Sequence, residues 1–62
     1  MRWVELTSPR LGSVSRETIC VLPLGAAEQH GPHLPLATDQ LIADGLAARL
    51  DAICGGNLLV LP

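Results

Sequence analysis

Residues 18–25, TICVLPLG, and residues 57–62, NLLVLP, are compact apolar runs, and a stretch with helical periodicity lies between them. Apolar runs of this length, bounded by turn residues, read as buried strands. Two strands joined through a helix pair in parallel, because the crossover carries the chain back to start in the same direction. This strand–loop–helix–strand order restricts the chain to an α/β architecture more firmly than any other feature. Pro23 has no amide hydrogen to give a ladder, so regular pairing in the first run is expected to end near it.

The intervening helix is predicted from residues 38–56, TDQLIADGLAARLDAICGG. Ile42, Leu46, Leu50 and Ile53 recur at helical spacing and form one apolar stripe, while Asp44, Arg49 and Asp51 fall mostly off it. Thr38 or Asp39 is the expected N-cap, since their side-chain oxygens accept from unpaired first-turn amides. Gly45 weakens the helix and suggests close packing against a neighbour, and Gly55-Gly56 is the expected stop. Ahead of the first strand, WVEL (residues 3–6) alternates weakly and is expected to form a short edge strand. Residues 7–17, TSPRLGSVSRE, read as polar turn, with Pro9 and Gly12 breaking any regular element.

A chain of 62 residues is near the lower limit for folding without a staple. A parallel sheet needs both faces covered, and one βαβ unit does not supply two covering layers. Residues 1–62 are therefore expected to be the N-terminal portion of one larger domain, with an intact mini-protein that oligomerises as the alternative. The two cysteines, Cys20 and Cys54, make neither a disulfide framework nor a zinc-finger pair. Their apolar surroundings predict two reduced, buried thiols. Four Arg, no Lys, six acids and a single aromatic residue, Trp3, offer no basic stripe for phosphates and no stacking platform. Nucleic acid is set aside on that ground. No apolar run approaches the roughly 20 residues that span a bilayer, and MRWVELTSPR has no leader-like apolar region. A cytoplasmic location, no membrane partner and a small-molecule or protein partner are the expectation.

Chemistry-bearing side chains concentrate in residues 25–39, GAAEQHGPHLPLATD. Both histidines of the chain, His30 and His33, lie there with Glu28 and Asp39, stiffened by Pro32 and Pro35. Each has an ordinary structural explanation: a solvated Glu28, turn histidines, an Asp39 that caps the helix. As a phosphate loop the segment fails, because it has neither GK[ST] nor G-x-G-x-x-G, and its acids repel phosphate. It is also not HExxH. Its position is what counts: ligands of α/β proteins gather outside the carboxyl ends of strands, where a loop enters a helix. Glu28 and His30 flank Gln29, so in an extended segment they project to one side. Carboxylate and imidazole donors suit Zn²⁺, Mn²⁺ and similar ions.

The stretch PLGAAEQHGPHLPLATD, residues 23–39, resembles the N-terminal signature of the creatininase (creatinine amidohydrolase) family, and the likeness extends over residues 18–62. The resemblance implies a three-layer α/β/α sandwich with a mostly parallel sheet, in an often oligomeric hydrolase acting on amide C–N bonds. It implies two divalent ions, Zn²⁺ or Mn²⁺ with Mg²⁺ or Fe²⁺ as further candidates. On this sequence Glu28 would bind one ion, His30 the other, and Asp39 both. His33 would shape the loop or line the pocket. Family substrates include creatinine, a pyrimidine intermediate and a precursor peptide. Further metal ligands and a proton-transfer histidine come from later segments in the family, and no His or Glu follows Asp39 here. The 62-residue chain by itself is therefore expected to be inactive. The competing reading is a non-catalytic α/β module whose loop histidines serve turn structure or subunit contacts.

Overall fold

The two apolar runs do pair, in parallel, in a computed structural model that describes all residues 1–62. Strand β1 (Cys20–Val21) lies beside β2 (Leu59–Val60), with Cys20 opposite Leu59 and Val21 opposite Val60. Along that edge Leu59 N–H donates to Ile19 O at 3.0 Å and Leu61 N–H to Val21 O at 2.8 Å. Pairing stops before Pro23, as its missing donor requires. The other edge of β2 is occupied too: Val60 N–H donates to Met1 O at 2.8 Å, and Arg2 forms an isolated parallel bridge to Val60. Strand β2 is thus the centre of a small sheet. It is also where burial concentrates, with Leu58, Leu59 and Val60 joined by Ala47 and Pro23 as the buried residues.

Two N-terminal expectations are corrected. WVEL is not an edge strand: Trp3–Glu5 is a 3₁₀ turn, closed by Glu5 N–H to Arg2 O and Leu6 N–H to Trp3 O. The extended pairing falls instead on residues 1–2, leaving Trp3 free to turn away. Pro9 likewise does not break a helix but sits in the first turn of one, α1 (Ser8–Gly12). A proline there loses no hydrogen bond, since first-turn amides have no partner within the helix. Thr7 caps that turn by accepting from Arg10 N–H at 3.4 Å.

Helix α2 (Thr38–Ile53) matches the predicted segment, and its end follows from the two glycines. Gly55 and Gly56 have φ of 70° and 76°, in the left-handed region that glycine adopts without Cβ strain. They complete a Schellman cap, with Gly56 N–H donating to Asp51 O at 2.8 Å and Gly55 N–H to Ala52 O at 3.1 Å. The start differs from expectation. Ala37 is the N-cap residue, and neither Thr38 nor Asp39 caps through its side chain. Thr38 Oγ1 instead donates back to Pro35 O at 2.6 Å.

The helix meets β2 through Ala47, not through the predicted stripe. Ile42, Leu46, Leu50 and Ile53 are all exposed, Leu46 by 67%. The stripe lies a quarter turn round from Ala47, so the helix cannot press both on one sheet. Leu22 and Leu24 are exposed as well, and Cys20, expected to be buried on both strand faces, is not. Cys20 and Cys54 are free thiols, as expected, but both are exposed rather than buried. Gly45 packs closely against nothing: a Cβ there would meet no atom within 4 Å. One cause underlies these corrections. The chain exposes 4753 Å², against about 3,800 Å² for a typical folded monomer of its 6.5 kDa mass. What is present is a two-layer α/β unit, one helix on one small sheet. No helix is long and apolar enough to cross a membrane.

Asp51 holds the ends of this unit together. Its Oδ1 accepts from Leu58 N–H at 3.0 Å and its Oδ2 from the Met1 ammonium, tying the C-terminal turn of α2 to both partners of the sheet. An acid near a helix C-terminus is disfavoured by the helix dipole, so these donors decide its placement. The hydrogen bond from the ammonium lowers its pKa below the ordinary carboxylate value, with partial burial opposing and the Leu58 N–H assisting. A depressed folded-state pKa contributes stability above the unfolded value, and that contribution disappears as pH falls through the folded value. Urea midpoints of wild type and Asp51→Asn should therefore differ most near neutral pH and converge below about pH 4. A constant gap across that range would remove this role.

Candidate metal centre

Glu28, His30 and Asp39 reach one point from two directions. Glu28 and His30 come from the loop that leaves β1, and Asp39 from the first turn of α2. The loop is closed by a hydrogen bond from Glu28 N–H to Leu36 O at 3.0 Å, which folds residues 28–36 into a hairpin-like arch. Gly31, with φ of 79°, makes the reversal near its tip, where its N–H donates to Gln29 Oε1 at 2.9 Å. Thr38, through its amide and its hydroxyl, fastens the far end to Pro35 O. The arch brings one ligand atom from each of the three residues within 4.8 Å of the others.

The imidazole of His30 is held at both nitrogens. Nδ1 lies 2.9 Å from Glu28 O, and Nε2 lies 3.2 Å from Asp39 Oδ1. A carbonyl oxygen only accepts, so the hydrogen bond to Glu28 O assigns the proton to Nδ1. In the neutral ring, Nε2 then presents a lone pair to a carboxylate, and two acceptors face each other. A cation resolves that opposition, either a second ring proton or a metal ion. The same arrangement is what metal-bound histidines use: one nitrogen donates to a carbonyl, which fixes the ring and leaves the other nitrogen for the ion. The donor set therefore fits a divalent cation.

Exposure also suits a site open to solutes. His30 and Asp39 are partly buried, with side-chain exposures of 22% and 41%, while Glu28 is exposed. His33 stands apart from the cluster. It is exposed, and its ring lies 3.8 Å from where a Cβ on Gly31 would be, beside the tip of the arch. Reading the sequence for ionisable groups passed over the polar and backbone groups that shape the arch: Gln29, Thr38 and the Leu36 carbonyl. Gln29 is a neutral residue between two candidate ligands, and only its contact with Gly31 N–H distinguishes it.

A parallel βαβ unit with imidazole and carboxylate donors converging beyond the strand end is an α/β protein with a candidate divalent-metal centre. The chain matches the creatininase family, described as creatinine amidohydrolase, over residues 4–62, and it belongs to that family. It is similar to the mycofactocin precursor peptide peptidase of Mycobacterium tuberculosis H37Rv, at 52% identity over 46 residues, covering 74% of this chain and 18% of the relative. The protein of the same name from Mycolicibacterium smegmatis is 59% identical over 30 residues, covering 48% of this chain and 12% of that one. That from Mycobacterium ulcerans is 47% identical over 38 residues, covering 61% and 15%. The chain thus spans less than a fifth of the length of these curated relatives. No solved structure matches it.

Proposed function

We propose that this chain is the N-terminal, metal-binding portion of a divalent-metal-dependent amidohydrolase that cleaves a peptide C–N bond. The observation that carries the reading is the convergence of Glu28, His30 and Asp39 at the strand end. Family membership supports the reaction class, and the peptidase names of the similar proteins favour a peptide over a small cyclic amide. In this reading Glu28 would hold one ion, His30 the other, and Asp39, whose carboxylate has two oxygens, would serve both. Glu28 and Asp39 supply negative charge that offsets the cations. The Nδ1–H bond to Glu28 O keeps the His30 ring from turning away. When bound, divalent cations lower the pKa of water towards neutrality and polarise an amide carbonyl.

Three donors are about half of what two ions require, since catalytic zinc typically takes about three protein ligands besides water. The remaining acids of α2 do not make up the number. Asp44 accepts from Gln40 at 2.9 Å one turn away, and Asp51 is committed to Met1 and Leu58. The purified 62-residue chain should bind Zn²⁺ or Mn²⁺ weakly and hydrolyse no peptide amide. The activity is tested by exchange. The 46 residues of this chain that match the M. tuberculosis relative replace their counterpart there, and precursor-peptide cleavage is followed. Cleavage by the chimera, lost on His30→Ala, is the expected result. A folded, metal-loaded chimera without cleavage would refute the proposed function.

A further inference from the structure

We propose that Gly25 is the positioning residue that sets the separation between the Glu28–His30 arm and Asp39, an inference that rests on the metal-site reading. Gly25 stands where the chain leaves the first apolar run, three residues before Glu28. A Cβ on it would lie 2.5 Å from Gln40 N, 2.6 Å from Asp39 C and 2.6 Å from Gln40 Cα. All three are backbone atoms of the first turn of α2, so no side-chain rotation relieves the overlap. Its φ is not among the positive values, which belong to Gly31, Gly55 and Gly56. The requirement is therefore for space alone, and alanine at this position meets no conformational penalty of its own.

The contact acts as a stop. The loop departs from Gly25 and returns through Thr38, and the peptide joining Asp39 to Gln40 rests directly on Gly25. A methyl group must push that peptide from 2.5 Å towards the 3.4 Å where ordinary contact begins. Asp39 travels with its own backbone, while Glu28 and His30 follow the chain that leaves Gly25, only three and five residues further on. The displacement thus falls on the gap between Asp39 Oδ1 and His30 Nε2, now 3.2 Å. Ligand sets tolerate little such error, because donor geometry has to hold within roughly 0.5 Å. Gly45 is the built-in comparison: it lies in the same helix with open space around it.

The experiment compares wild type, Gly25→Ala and Gly45→Ala as full 62-residue chains. Visible absorption of added Co²⁺ reports ligand geometry, and Zn²⁺ competition gives Kd. Gly25→Ala should weaken binding about 10- to 100-fold, the range for residues that orient ligands, and alter the Co²⁺ spectrum while far-UV helix content is kept. Gly45→Ala should change neither. Unchanged Kd and spectrum in Gly25→Ala would overturn the inference. Wild type that binds no metal refutes the metal-site reading instead. Gly25 is then judged on the nuclear Overhauser contact between the His30 ring and the Asp39 β-protons. Its loss in Gly25→Ala supports the role, and its persistence there overturns it. Should Gly25→Ala unfold, the wild-type contact between the Gly25 α-protons and the Gln40 amide decides. Presence of that contact supports the stop, and absence overturns it.

Discussion

Asp39→Ala should cost the chain its divalent-metal binding, by about 100-fold or more in Kd, with little change in stability. It removes one of three donors and the acceptor that faces His30 Nε2 at 3.2 Å, so its effect should exceed the roughly 10- to 100-fold cost of losing an orienting partner. The metal affinity is the discriminating part, because the helix dipole gives this acid a stability role close in size to that of a cap. Were Asp39 the helix cap, its loss would destabilise α2 by about 1 kcal/mol. It is not the cap: Ala37 occupies that position, and the turn before α2 is held by Thr38 to Pro35. What remains is a first-turn acid near the positive end of the helix dipole, typically about 0.3–1 kcal/mol when exposed. Isothermal titration with Zn²⁺ and Mn²⁺, alongside thermal denaturation, separates the two roles. Undiminished affinity for both ions would remove Asp39 from the site.

Leu59→Ala should lower the folding stability of the chain by about 2–5 kcal/mol, read as a large drop in the urea midpoint at 25 °C. Leu59 is only 5% exposed, and it belongs to β2, the strand that pairs with β1 and with the N-terminal residues. Leucine-to-alanine changes in packed interiors cost about 2–5 kcal/mol. A domain of this length has about 3–9 kcal/mol in total at ordinary stability per residue. With five buried residues in all, no other cluster can compensate. Leu46→Ala, at a position 67% exposed, should move the urea midpoint little. Equal shifts for the two variants would mean that Leu46 is covered and that the core is not centred on β2. The loss would reach the candidate site as well, because β1 and α2, which place its ligands, meet through β2.

The site was more legible in the sequence than its surroundings were. The convergence of Glu28, His30 and Asp39 was readable because both histidines fall in one loop and because a strand end leading into a helix is where ligands gather. Helix α2 and its glycine stop were readable from local rules, periodicity and left-handed φ, which do not depend on neighbours. Pro9 was misread for an equally local reason. A proline signals a break inside a helix and a start in its first turn, and Thr7 two residues earlier was the cap that distinguished the two.

By itself, then, the sequence determined the strand–helix–strand order from residue 18 onward, the parallel sense of β1 and β2, the end of α2 and the candidate residues for a cation. Each follows from short-range constraints: side-chain periodicity, backbone freedom and donor chemistry. Only the tertiary structure decided that Ala47, rather than the Ile42–Ile53 stripe, meets the sheet, and that Asp51 secures the N-terminus. It also decided that Asp39 faces His30 instead of capping α2, and that Gly25, not Gly45, is the glycine pressed against backbone. Those outcomes depend on how far a loop returns and which way a helix is rotated over β2. Such distances and rotations are set by contacts between residues remote in sequence, and no local pattern encodes them.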